Sequence, residues 1–154
     1  MKVTAVVVAL VAAALLSAGS ATASPGDASW TYGDADILGA VHLSDGVARV
    51  HVRYSCAVGD HMWVSVKQSV DREIDPAITE EGSGYGHVAA DWWQSHANPF
   101  TCDGQVHVQW WTAGTAEFFR GDITPGWAWV QFCITHGDRQ LSVARYEWDQ
   151  VVEN

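Results

Sequence analysis

Nine tryptophans stand in a chain of 154 residues, and seven of them fall as Trp92-Trp93, Trp110-Trp111, Trp127, Trp129 and Trp148. On a strand, neighbouring side chains point to opposite faces, so each adjacent pair directs one indole to the core and one outward. Flat exposed rings beside hydrogen-bonding side chains suit the stacking of sugar rings, and Asp91, Gln94, Gln109 and Gln131 supply such neighbours. The candidate ligand-binding set is therefore Trp93, Trp111, Asp91 and Gln109. The same pattern also suits an interior filled with rings, because tryptophan carries a large apolar area. Ring exposure decides between the two.

Other chemistries find less support. His51, His61, His87, His96, His107 and His136 are scattered, with no His-x-His, His-Glu-x-x-His or Cys-x-x-Cys spacing to hold a metal. Asp71, Asp75, Glu80 and Glu81 could offer oxygens to calcium but lack the spaced Asp-x-Asp-x-Asp-Gly order, so a solvated acidic loop is the better reading. No Gly-x-Ser-x-Gly elbow marks a serine nucleophile. Cys133 and His136 are three apart on one expected strand and so face opposite sides. Glu117 and Glu147 are the only glutamates flanked by aromatics, a weak basis for glycoside hydrolysis. The expectation is a non-catalytic chain without metal or cofactor.

Seven segments carry the polarity of strands: 37–43, 47–56, 61–68, 87–94, 106–112, 127–136 and 140–148. The clearest is 47–56, where Val50, Val52, Tyr54 and Cys56 share one face and Arg49, His51, Arg53 and Ser55 the other. Ser44-Asp45-Gly46 is a tight hairpin turn before it. In 61–68, Met62, Val64 and Val66 face inward, opposite Trp63, Ser65 and Lys67. Alternation stops over 69–86, which reads as a long acidic loop. About seven strands make two packed antiparallel sheets, a β-sandwich, with a closed barrel as the alternative.

The N-terminus reads as an export leader. Lys2 supplies a short positive start, 3–16 is apolar, and Ala21-Thr22-Ala23 has the small-x-small form cut by signal peptidase. The apolar run of 14 residues is shorter than the roughly 20 a spanning helix needs. The expected division is a signal peptide over 1–23, a flexible mature start over 24–35 and one β-sandwich domain over 36–154. Losing Lys2 with the leader leaves seven basic against eighteen acidic residues, about −11. That sign disfavours nucleic acid and anionic membrane surfaces. It leaves extracellular polysaccharide, or a protein partner reached through the acidic loop, as the expected ligand of a secreted chain.

Tyr54-Ser55-Cys56, Val64-Ser65-Val66-Lys67-Gln68 and Thr101-Cys102-Asp103-Gly104 together resemble a family of small secreted actinobacterial proteins of uncharacterised function. The segment from Phe119-Arg120-Gly121 through Trp127 fits as well, so the likeness spans about 37–148. It implies an immunoglobulin-like sandwich and no particular chemistry. It also implies a Cys56–Cys102 disulfide, leaving Cys133 as a buried apolar residue or an intermolecular partner. The competing pair, Cys56–Cys133, would mimic the inter-sheet bridge of immunoglobulin domains. Against it, Trp63 follows Cys56 by only seven residues, and Gln131 stands where a corner tyrosine is needed.

Overall fold

The computed structural model describes residues 33–114 and 118–154; the expected leader, most of 24–35, and Glu117 lie outside the described residues. Among the described residues the chain is all-β, with nine strands. They are β1 (Gly33–Ile37), β2 (Val41–Ser44), β3 (Val47–Cys56), β4 (His61–Gln68) and β5 (Asp91–Ser95). The others are β6 (Val106–Gly114), β7 (Phe118–Arg120), β8 (Gly126–His136) and β9 (Gln140–Glu153). None of the described residues forms a helix long and apolar enough to cross a membrane.

Segments 47–56 and 61–68 form strands with the expected bounds and inward faces. Nine strands stand where seven were expected, for two reasons. The stretch 37–43 breaks at Leu38–Ala40 around Gly39, whose φ of +75° takes the backbone out of the extended region. The short β7 carries too few residues to show alternation. β1 also begins at Gly33, inside the stretch expected to be a flexible start. At the hairpin between β2 and β3, Asp45 and Gly46 take φ of +52° and +75°, and Ser44 pairs with Val47. This is the two-residue turn that Asp-Gly favours.

The strands hydrogen-bond into one continuous open sheet. β3 pairs with β6 on one edge and with β1 and β2, placed end to end, on the other. From β2 the sheet runs on through β9, β8, β4 and β5 to β7. The β2–β9 pairing is parallel, so the sheet is not wholly antiparallel as expected. It bends over on itself, and the inner faces of β3 and β6 meet those of β4 and β8 across one core. Phe132 of β8 lies 4.7 Å from Trp111 of β6 and 5.8 Å from Tyr54 of β3, measured between ring centres. Where the two halves approach, Asn98 lies against β6. Its side chain donates to the Thr112 carbonyl and accepts from the Thr112 amide, at 2.9 and 2.8 Å, in the manner of a partner strand.

Cys56 is bonded to Cys102, the pairing that the resemblance implies, and Cys133 is a buried free thiol.

Candidate functional site

The four residues singled out for ligand binding do not come together. Trp111 is fully buried against Tyr54 and Phe132. Trp93 belongs to the same core, with its indole N–H donating to the Gly121 carbonyl at 3.0 Å. Both were expected to expose a ring, and both are interior. Asp91 is a structural anchor: it pairs with Arg72 at 2.7 Å and accepts from the Asp122 amide at 3.0 Å. The Gln109 amide is taken up by the Pro99 carbonyl at 2.9 Å.

The two pairs depart from the expected exposure in different ways. At 110–111 alternation holds, with the outward ring being Trp110, stacked on His51 at 4.4 Å with nearly parallel planes. At 92–93 both rings are buried, because chain 69–90 folds over the outer face and covers Trp92. Tyr85 meets the Trp92 ring edge-on at 4.6 Å. Gly84 lies so close that a Cβ there would sit 2.5 Å from the indole. The Trp92 N–H donates to the Ser65 hydroxyl at 3.2 Å.

The acidic stretch is therefore a packed cover. Ile78 is fully buried within it, and the Ser83 hydroxyl donates to the Ile78 carbonyl. Asp75 caps the 3₁₀ turn Pro76–Thr79 by accepting from the Ala77 amide, and Asp71 accepts from Ser69 and from the Glu73 amide. These carboxylates are spent on the cover's own backbone. No group of three His, Cys, Asp or Glu side chains positioned to share a metal occurs among the described residues.

Between this cover and the outer face of β4, β5 and β8 lies a groove of about 760 Å³. Its floor follows from cross-strand register. Ser65 stands opposite Gln94 on one side and Gln131 on the other, and Lys67 stands between Trp92 and Trp129. Trp63, half-buried, opens the next row, and Tyr85 and Phe118 expose their rings at the rim. Gln131 is 7% exposed overall and lines the groove, while the buried side-chain polar atoms without a partner among the described residues are the Trp111 and Trp129 indole nitrogens. The Gln131 amide is open to the groove, where a ligand could exchange hydrogen bonds with it. Reading the sequence found Gln131 as a polar neighbour of tryptophan but missed Trp63, Tyr85 and Lys67 as its companions. Their shared face is set by the β4–β8 register and the path of the cover, which local alternation does not reveal.

No protein-family model matches the chain. No curated protein matches it either. The site's chemistry thus rests on its own geometry.

Lys67 and Cys133 on this face have altered acidity. Burial pushes the Lys67 ammonium down to about 8, with the nearby Glu81 charge acting in the opposite sense. Burial pushes the Cys133 thiol up to about 12, and its sulfur lies 3.7 Å from the Tyr146 hydroxyl. A thiol so enclosed and so weakly acidic is an apolar filler, which removes the support for intermolecular pairing.

The folded chain releases the Lys67 proton near pH 8, while the unfolded chain holds it to about 10.5. Stability from this group therefore rises between those values, and its burial cost is fully present below pH 8. Lys67→Met should stabilise the fold at pH 7 by about 1–2 kcal/mol, by removing a buried charge without an ion partner. The gain should shrink as the pH approaches 10. Denaturant unfolding of both proteins at pH 7 and 10 tests this, and a Met variant less stable at pH 7 contradicts it.

Proposed function

We propose that this chain is a secreted, non-catalytic binding module whose groove between β4, β5, β8 and the acidic cover takes a carbohydrate. The observation that carries the reading is a groove that brings the half-buried Trp63 and the exposed Tyr85 ring to one lining with the Gln131 and Gln94 amides. Sugar recognition needs this combination, since ring faces accept the apolar C–H side of a pyranose while amides bridge its hydroxyls. The Cys56–Cys102 bridge is consistent with an oxidising, extracellular setting, and the leader-like N-terminus points the same way. The bent sheet fits a sandwich of immunoglobulin-like build. The 54–56, 64–68 and 101–104 segments suggest kinship with small secreted actinobacterial proteins. The other partner considered, a protein engaging a projecting acidic loop, loses support because that loop packs down as the groove's wall.

Titrating the protein with a panel of soluble and insoluble polysaccharides, while following tryptophan emission and pull-down, tests the assignment. One glycan should give a saturable response. Trp63→Ala and Gln131→Ala should each weaken it about tenfold, near 1.4 kcal/mol, while Trp110→Ala should leave it unchanged. A flat response across the panel, or a folded Trp63→Ala variant that binds like the parent, overturns it.

A further inference from the structure

After Lys2, Lys67 is the only lysine in the chain. It is 3% exposed, although lysine is among the residues least often buried. Its Nζ donates to the Glu80 carbonyl at 3.2 Å, and no carboxylate among the described residues lies within salt-bridge distance. One of the ammonium's three donors is thereby used. The amine lines the groove, flanked in register by Trp92 and Trp129. A primary amine deprived of water and of an ion partner favours its neutral form, the form that attacks carbonyl carbon. The depressed acidity noted above agrees with this environment.

We propose that Lys67 is a covalent capture site for an aldehyde-bearing ligand, of which the open-chain reducing end of a sugar is the class suited to this groove. The Nζ lone pair forms a bond to the carbonyl carbon, and the carbonyl oxygen takes up a proton to give a carbinolamine. The C–O bond then breaks and the oxygen leaves as water, yielding an imine. Amine plus aldehyde gives imine plus water, with no oxidant or reductant required. Capture is stoichiometric and reversible, so it deepens the binding role without adding turnover. The sugar class rests on the groove reading, while the amine's reactivity does not.

Glycolaldehyde with cyanoborohydride at pH 8, followed by peptide mass spectrometry of the folded protein, isolates that reactivity. Lys67 should be labelled more than tenfold faster than an unstructured lysine peptide, since an amine titrating near 8 is half neutral there, against under about 1% for a free one. Lys67→Arg and Lys67→Met, both checked for native tryptophan emission, should lose the label from that peptide while the α-amino terminus still reacts. A folded protein whose terminus is labelled while Lys67 is not, with Lys67 reacting only in urea, overturns the proposal. A labelled Lys67 with no response across the polysaccharide panel keeps the capture site and removes the sugar. Glycan binding with an unreactive Lys67 does the reverse.

Discussion

Trp111→Ala is expected to lower the stability of the fold by about 3–5 kcal/mol, while Trp110→Ala, one residue away, costs less than about 1 kcal/mol. Trp111 is fully buried where the two halves of the bent sheet meet, with Phe132 at 4.7 Å, Tyr54 at 5.4 Å and Phe100 at 6.3 Å. Removing its ring empties the centre of the core, and these three aromatics on separate elements are too large to collapse into the space without shifting the backbone. Trp110 is 48% exposed and leans on His51 and His42, so its loss removes surface stacking only. The Trp111 indole N–H has no hydrogen-bond partner. Trp111→Phe should therefore cost far less than Ala, since it keeps most of the apolar volume and relieves an unmet donor. Urea unfolding of the three variants separates these effects. Equal losses at 110 and 111 contradict the assignment of faces.

That contrast shows how much of the molecule could be read from residue order. Within a strand, period-two alternation is a local property, so the inner faces of β3 and β4 were legible, as was one outward ring at 110–111, but not that the outward ring is Trp110 rather than Trp111. The Asp45-Gly46 hairpin was too, because a two-residue turn depends on its own φ values. What could not be read was whatever depends on a distant segment covering a face. Trp92 points outward from β5 as alternation requires, yet it is buried, because Gly84 and Tyr85 lie on it from the cover. The cover looked like a solvated loop because its acids dominate its composition. Its deep apolar anchors, Ile78 and Ala89, stand apart without periodic partners. The candidate site was mislocated for the same reason. Trp93 and Trp111 were singled out, but the groove is built from Trp63, Gln131 and Lys67, which the register of β4 and β8 brings together. β8 is buried on both faces, which erases the alternation that would have marked Gln131 and Cys133 as sharing a side.

The Cys56–Cys102 bridge controls the second large effect. Its two halves are 46 residues apart, and the chain between them contains β4, the cover and β5. It fastens the end of β3 to the segment after β5, on opposite halves of the bent sheet. In the chain-entropy account, opening a loop of that length frees the unfolded chain by roughly 3–4 kcal/mol. Cys56→Ala/Cys102→Ala should lose about that much, lowering Tm by roughly 10–15 °C. The native structure around the bridge should persist below that temperature, because other bonds hold the same junction. Gly104 donates to the Cys56 carbonyl at 2.8 Å, Thr101 donates to the Tyr54 hydroxyl at 3.2 Å, and Asn98 grips Thr112. Cys133 cannot replace either partner. It is fully buried on the outer face of β8, and its thiol is held too weakly acidic to exchange. The variant should therefore show a native-like far-ultraviolet spectrum at 20 °C, a lower melting temperature and no new disulfide by non-reducing peptide mapping. A melting temperature within about 2 °C of the parent would mean that the junction is held by its hydrogen bonds and core contacts. The bridge would then be a passive addition to a closure that the curled sheet achieves alone.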